Sequence, residues 1–209
     1  MKKRVLLLLV LPLLLAACAS PQLTGEQRAA IKRVSIAKVE MPKTALIIGD
    51  NAGAAFIFGG SIGLALANGT SSLPVEFDRS LTRSNTDLPS IVRADLERKL
   101  KAKGYQVVAE GEGAVDAVFF PRVVQYGLTG NVFSSPPVRF PALGLFVELK
   151  KPGAQEKFWS GGASVHVNEK IFSQLDARPM TEYFRDPVLL NTQVRKASDL
   201  IADEVLSRL

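Results

Sequence analysis

The chain has 209 residues, with 26 lysines and arginines against 20 aspartates and glutamates, which gives a formal net charge of +6. Its single cysteine excludes a disulfide within the chain, and its single histidine leaves no nitrogen or sulfur cluster for zinc. No run of basic residues is interleaved with aromatic ones. We therefore expect no metal, no other cofactor and no nucleic-acid binding.

The N-terminus has the layout of a secretory signal. Three basic residues, 2–4, precede a leucine-rich apolar run over 5–15, which is shorter than the roughly 20 residues of a membrane-spanning helix. The run ends in four residues that closely resemble the bacterial lipobox: Leu15, Ala16, Ala17 and Cys18. This resemblance implies that residues 1–17 are a signal peptide and that Cys18 carries acyl chains such as palmitate. The alternative is a core cysteine that follows an ordinary signal peptide.

The same resemblance bears on location. Ala19 follows the cysteine, and in the lipoproteins that this pattern resembles, a residue other than aspartate there implies sorting to the outer membrane, facing the periplasm. Loss of the leader removes three basic residues and no acidic one, so the net charge falls from +6 to +3. The small and polar residues that follow predict a tether over 18–30, and we expect a single folded domain over 31–209.

A strand is predicted over 31–41, before Pro42, and it leads into an insertion over 43–86. The centre of the insertion is rich in glycine, and small residues recur there at a four-residue spacing: Ala55, Gly59, Gly63 and Ala67. A helix over 52–67 would be about 25 Å long, short of the roughly 30 Å hydrocarbon core, and its stripe of small residues would suit close helix contacts. Packing on the same domain, self-association or membrane insertion, and disorder stay open as alternatives.

A helix is predicted over 88–103, because apolar residues recur every three or four positions, Thr86 or Asp87 can cap its start, and Gly104 can end it. A strand follows at 105–109, which completes a β-α-β unit. A second strand is predicted over 115–128, where Pro121 indicates a sheet edge or a bulge.

A hairpin is predicted with arms at 143–149 and 156–167 around a turn at 150–155. Its second arm is a candidate edge strand that could accept a partner strand, with Trp159, Gly161 and Gly162 as the site; the alternative places Trp159 in the core. An irregular segment over 168–187 leads to a final amphipathic helix over 189–209.

These elements predict an α+β fold. We expect a mixed sheet of about four to five strands, with two amphipathic helices packed on one face and the glycine-rich insertion after the first strand. Each helix has one apolar stripe, and the sheet is the surface available to cover both.

One motif raises the question of catalysis. Residues 59–63 match the G-x-S-x-G nucleophile elbow, so Ser61 and His166, with Asp116 as a conceivable acid, could form a small lipid-anchored serine esterase. The predicted position of His166 inside a hairpin arm argues against this, because a triad base is normally carried by a loop. We therefore expect no catalytic residues and no enzyme activity.

The order of elements resembles a group of periplasmic lipoproteins. The resemblance is carried by the lipobox, the Lys103-Gly104-Tyr105 junction, the Asp116-Ala117-Val118 strand and the hairpin arm over 157–163. The group includes the curli-secretion, exopolysaccharide-export ring and lipopolysaccharide-assembly lipoproteins, whose domains are similar to the N-terminal domain of the Tol-system propeller protein. It implies an accessory or assembly subunit of an envelope export or biogenesis system, held to the membrane by acyl chains and bound to a protein partner. A ring-forming pore subunit, and thus a homo-oligomer, is the alternative within this group.

Overall fold

A computed structural model describes residues 23–47, 72–130 and 138–209 of the chain. It contains an open, mixed six-stranded sheet, so the predicted α+β class is confirmed, with one strand more than the expected four to five. The strands are β1 (Arg33–Ile36), β2 (Leu46–Ile47), β3 (Gln106–Val108), β4 (Ala117–Thr129), β5 (Phe140–Lys150) and β6 (Lys157–Ser164). Their order across the sheet is β3-β1-β4-β5-β6, and β2 also pairs with β4.

Helices cover one face of this sheet. The helices of the described residues are α1 (Gly25–Ala30), α2 (Leu73–Arg83), α3 (Leu88–Ala102), α4 (Glu169–Phe172), α5 (Met180–Arg185) and α6 (Pro187–Leu206), of which α1 buries no residue. The long helix α6 packs against β5, β6 and α3, and α2 packs against α6. The buried apolar residues of these elements form one continuous cluster with those of the strands. Both predicted amphipathic helices therefore lie where they were expected, and α2 joins them.

The β1–α3–β3 unit follows from local sequence signals. The Asp87 side chain accepts a hydrogen bond from the backbone N–H of Ser90, and a proline occupies the first turn of α3. The chain leaves α3 through Gly104, whose φ of 90° is the left-handed conformation that suits glycine. The strand β3 then pairs with β1 in parallel, as the predicted crossover requires.

Pro121 lies in β4, which is a central strand, opposite an interruption in its neighbour. β1 ends at Ile36, and the Ala37 N–H still donates to the Phe119 carbonyl of β4; the next backbone N–H to bond β4 is that of Glu40, which donates to the Pro121 carbonyl. The proline lacks the N–H that would bond the Ala37 carbonyl in a regular parallel ladder. The Arg93 Nη1 of α3 lies 3.4 Å from that carbonyl and donates to it instead. The prediction of an edge or bulge at Pro121 is thus met in part: pairing with β1 is interrupted beside the proline, and the register shift of β4 against β5 comes later, between Val123 and Gln125.

The predicted hairpin is present, with β5 and β6 antiparallel. Its second arm ends earlier than expected, because Val165–Val167 form a short 3-10 helix. The placement of His166 inside a hairpin arm was therefore wrong. The amide of Asn168 bonds the Val165 carbonyl, a local turn contact that replaces continued pairing with β5.

Three segments carry more structure than the sequence indicated. Residues 25–30, expected in the tether, form α1 with a capping box between Thr24 and Gln27. The polar stretch at the end of the insertion forms α2, which buries Phe77 and Leu81. The segment expected to be irregular contains α4 and α5. α2, α4 and α5 each bury at least one apolar or aromatic side chain, which stabilises elements too short to be stable alone, whereas α1 buries none and has its capping box instead.

A buried lysine joins α3 to α6. The Lys99 Nζ lies 2.8 Å from the Asp199 Oδ1 and 2.5 Å from the Asp203 Oδ2, and Arg98 also pairs with Asp199. Burial raises the pKa of Asp199, but the hydrogen bonds from Lys99 and Arg98 outweigh it and hold that pKa below its ordinary value of 3.8. A carboxylate with a lowered pKa in the folded state stabilises the fold above its unfolded pKa, and this contribution is lost as the pH falls through the folded pKa.

We expect Asp199→Asn to lower the free energy of unfolding at pH 7 by about 0.5–1 kcal/mol, since the pair is partly exposed. The difference from the unmodified protein should shrink as the pH falls below the ordinary Asp199 value of 3.8. Urea unfolding at pH 7 and pH 3 measures both quantities. A difference that stays constant over this range would contradict the assigned ion pair.

Candidate functional site

The sheet surface opposite the helices carries exposed apolar residues. In β4, the buried Phe119 and Val123 alternate with Phe120 and Val124, which are 40% and 51% exposed. Because successive strand residues point to opposite faces, the exposed pair lies on the surface that α3 and α6 do not cover. We name this surface the outer sheet face; its members are Phe120, Arg122, Val124, Gly144, Phe146, Glu148 and Gly162.

Neighbouring strands bring these side chains together. Arg122 is paired with Phe146 across the β4–β5 ladder, and its guanidinium carbon lies 5.4 Å from the centre of the Phe146 ring. The Lys150 Nζ lies 5.2 Å from the centre of the Phe120 ring. Both distances are within the range of cation–π contacts. The outer sheet face therefore combines aromatic rings with cations held over them.

Glu148 sits between two lysines on the same face. Its carboxylate oxygens lie 2.7 Å from the Lys150 Nζ and 3.1 Å from the Lys157 Nζ. The hydrogen bond from Lys150, followed by that from Lys157, outweighs burial and lowers the pKa of Glu148 below its ordinary value. The carboxylate is therefore charged near neutral pH, and it balances part of the local positive charge.

Two glycines flatten this surface. A Cβ on Gly162 would lie 3.2 Å from the Phe146 Cδ2, and a Cβ on Gly144 would lie 2.9 Å from the Val124 Cγ2. The side chains of Phe146 and Val124 thus lie over neighbouring backbone where a larger residue would push them outward. The result is a flat surface on which apolar and charged side chains are neighbours, and aromatic residues and arginine are enriched in protein interfaces.

The residues proposed from sequence for partner binding lie partly elsewhere. β6 is the last strand in the sheet order, so it is an edge strand in the described part of the chain. Trp159 is fully buried, and its Nε1 donates to the Arg208 carbonyl at 3.1 Å. Gly161 faces the same core, because an added Cβ would lie 2.5 Å from the Trp159 ring. Gly162 belongs to the outer sheet face. Partner binding at the edge strand β6 stays a prediction, and it would use the backbone N–H and C=O groups of that strand.

The remaining residues singled out from the sequence are not brought to this surface. The described ranges do not include the lipobox residues Leu15, Ala16 and Ala17, the lipidation site Cys18, or the small-residue stripe Ala55, Gly59, Gly63 and Ala67. Ser61 also lies outside them, and the backbone of His166 is in the 3-10 helix after β6. Over 23–47, 72–130 and 138–209, no three His, Cys, Asp or Glu residues are grouped to hold a metal ion. Within the same residues, no helix has the length and apolarity needed to cross a membrane.

The outer sheet face was not predicted from the sequence. The run over 117–124 places apolar side chains on both faces of β4, so alternation alone does not separate the buried set from the exposed one. Arg122 is the available signal, because a charged residue between Phe120 and Val124 marks the face that meets solvent.

The fold and the outer sheet face together define a structural class of protein: an open α+β sheet with helices on one face and exposed aromatic and charged side chains on the other. No protein-family model matches the chain, and no curated protein matches it either. Distant likenesses to solved structures are found. A dodecamer of PelC from Paraburkholderia phytofirmans is 12% identical, with a TM-score of 0.38, over 91% of this chain and 93% of that one.

Two further structures are similar to the chain at comparable distance. A Xanthomonas campestris protein of the DUF330 family model is 8% identical, with a TM-score of 0.41, over 91% of this chain and 89% of its own. The lipoprotein GNA1162 from Neisseria meningitidis is 12% identical, with a TM-score of 0.26, over 68% of this chain and 91% of its own. These likenesses do not assign the chain to a family.

Proposed function

We propose that this chain is a lipid-anchored, non-catalytic accessory subunit of an envelope export or biogenesis system, held at the periplasmic side of the outer membrane by acylated Cys18. It acts by binding a protein partner through the outer sheet face. The observation that carries this proposal is the exposure of Phe120 and Val124 on the uncovered face of β4, one on each side of Arg122. A protein that buried this surface would remove both side chains from water, which favours association.

The chemistry of the surface specifies the kind of partner. Aromatic residues and arginine are enriched where proteins meet, and Phe120, Phe146 and Arg122 are neighbours here. The lysines beside Glu148 place positive charge at the border of the apolar patch. We therefore expect the partner to present an apolar ridge flanked by carboxylates, which would pair with Lys150 and Lys157 as the apolar surfaces meet.

A photo-crosslinking residue placed at position 120 or 124 is expected to form a covalent adduct with one protein in intact cells. The matched control is position 188, because Val188 is 73% exposed but lies at the start of α6 and not on the outer sheet face. Mass spectrometry of the adducts identifies the partner. Adducts of equal yield at all three positions, or none at 120 and 124, would contradict docking at this surface.

A charge substitution tests the same surface by affinity. Val124→Asp should weaken binding of the crosslinked partner about tenfold or more, because a carboxylate would be buried in an apolar contact, whereas Val188→Asp should leave binding unchanged. Circular dichroism shows whether both variants fold. Deleting residues 49–69 in the same assay separates docking on the sheet from docking through the glycine-rich segment.

The anchor and the absence of catalysis are tested separately. Mass spectrometry of the mature protein should find acyl chains on Cys18; an unmodified cysteine, or its loss with the leader, contradicts the anchor.

Ser61→Ala should leave any hydrolysis of simple esters unchanged. Loss of a measurable activity in that variant would support the esterase alternative, and a high oligomer after detergent extraction would support the ring alternative.

A further inference from the structure

A second surface, distinct from the outer sheet face, lies where α1, the start of β1 and the end of α3 meet. A cleft of about 430 Å³ opens there, within the range of small-molecule sites. Three of its lining side chains are cationic: Arg28 from α1, Lys32 next to β1 and Lys103 at the end of α3. Gly104 and the half-buried Tyr105 form part of its wall. We name it the basic cleft.

The three cations of the basic cleft are available to a ligand. Among the described residues, no ion pair involves Arg28, Lys32 or Lys103, and no aspartate or glutamate side chain lines the cleft. Leu209 also lines the cleft, so its carboxylate offsets part of this positive charge. The three cations still outnumber it, and a bound anion would lower their mutual repulsion.

Local backbone and aromatic groups hold the walls of the cleft in place. The nearby Asp116 carboxylate accepts the backbone N–H groups of Lys32 and Arg33, each at 2.8 Å, so it fixes the backbone that carries Lys32. These two bonds lower the pKa of Asp116, so the carboxylate stays charged and keeps them at neutral pH. The Tyr105 ring packs edge-on against the buried Phe119, with centroids 6.4 Å apart. Local contacts thus hold the Lys32 backbone and the Tyr105 ring in place, while Arg28, Lys32 and Lys103 are exposed.

The position of the cleft along the chain brings it near the bilayer. Gly25, which lines it, is only seven residues after Cys18, a span of at most about 25 Å for a fully extended chain. Leu23 is already packed in the core, so the fold begins within five residues of the cysteine. If Cys18 is acylated, the end of the domain that carries Arg28 and Lys32 must stay close to the headgroups.

From this geometry we propose that the basic cleft binds the phosphate of an anionic phospholipid headgroup in the same membrane that holds the anchor. The inference rests on the proposed acylation of Cys18 and adds a second contact that would fix the orientation of the domain on the bilayer. Arg28, Lys32 and Lys103 pair with the phosphate oxygens, and Tyr105 lies beside the headgroup. The partner-binding outer sheet face would then be presented in a defined direction.

Lysine footprinting of the full mature lipoprotein in nanodiscs tests this proposal. One set of discs contains phosphatidylcholine alone, and the other contains equal parts of phosphatidylcholine and phosphatidylglycerol. Acetylation of Lys32 and Lys103 by an amine-reactive reagent should be roughly fivefold slower in the anionic discs, the effect of about one cation at an anionic surface. Lys151, an exposed lysine in the hairpin turn, is the internal control and should react equally in both.

Variants and a soluble anion sharpen the test. Arg28→Gln should abolish the protection of Lys32 and Lys103, whereas Lys151→Gln should preserve it. Inorganic phosphate added to phosphatidylcholine discs should give no protection, and protection by free phosphate alone would overturn the assignment to a lipid. Equal labelling of Lys32 and Lys103 in the two kinds of disc would overturn it as well. A protein that does not enter phosphatidylcholine discs at all would refute the anchor, which distinguishes failure of the proposed function from failure of this inference.

Discussion

Gly127→Ala is expected to lower the free energy of unfolding by about 3 kcal/mol or more, through overpacking and backbone strain together. Gly127 lies in β4 between β2 and β5, with a φ of 143° that side chains rarely adopt. A Cβ there would lie 1.9 Å from the Leu46 carbonyl oxygen, which is backbone and has no rotamer to move away. The substitution should therefore separate β2 from the sheet.

Gly153→Ala is the matched control for this experiment. Gly153 also has a positive φ, 72°, but nothing lies within 4 Å of its added Cβ. Its substitution should lower stability by only about 1 kcal/mol, the effect of the backbone conformation alone. Urea unfolding followed by circular dichroism measures both variants. If the two substitutions destabilise the protein equally, the close approach of β2 to Gly127 is wrong.

Trp159→Ala should destabilise the fold by about 3–5 kcal/mol. The side chain is fully buried between β6 and α6, and its removal leaves a cavity and leaves the Arg208 carbonyl without its indole donor. Trp159→Phe should have a smaller effect, about 1–3 kcal/mol, because it keeps most of the apolar volume but loses the hydrogen bond.

Phe120→Ala is the control for the removal of an aromatic residue. Its ring is 40% exposed on the outer sheet face, so its truncation should lower the free energy of unfolding by no more than about 1 kcal/mol. Because Trp159 is the only tryptophan, its replacement removes the tryptophan fluorescence signal, so unfolding must be followed by circular dichroism. Similar losses for Trp159→Ala and Phe120→Ala would show that Trp159 does not serve as a core residue.

The elements that the sequence predicted well are those with strong local signals. α3 has a capping aspartate, an initial proline, a regular apolar stripe and a terminal glycine, and each of these acts within a few residues. α6 is long, with a buried stripe that recurs along its whole length. The hairpin of β5 and β6 follows from a turn whose Gly153 adopts a positive φ. Local energies are sufficient to specify such elements.

The elements that were missed depend on tertiary contacts. α2 has few apolar residues, and its place in the fold is set by the burial of Phe77 and Leu81 against the rest of the core. β2 has only two residues and exists because β4 offers it an edge beside Gly127. α1 carries a local capping signal at Thr24, but it lies within a run of small and polar residues whose composition is typical of a tether.

The candidate surfaces were harder to predict for a similar reason. The basic cleft joins residues from three separate parts of the chain, Arg28, Lys32 and Lys103, and no spacing in the sequence relates them. The outer sheet face needs the register of β4 against β5, which places Arg122 opposite Phe146. Trp159 was correctly placed in a hairpin arm, but a strand pattern does not say which face its side chain occupies.

The elements on either side of the glycine-rich segment lie in the same part of the fold. β2 precedes the segment over 48–71, α2 follows it, and the two contact each other. The far end of α2 is also held, because the Asn191 Nδ2 of α6 donates to the Thr86 Oγ1 in the loop after α2, at 2.8 Å. Because loop-closure entropy changes slowly with length, a short polar connector should replace this segment without unfolding the domain. The contact between β2 and α2 therefore makes this position suitable for the insertion of a foreign segment into the domain.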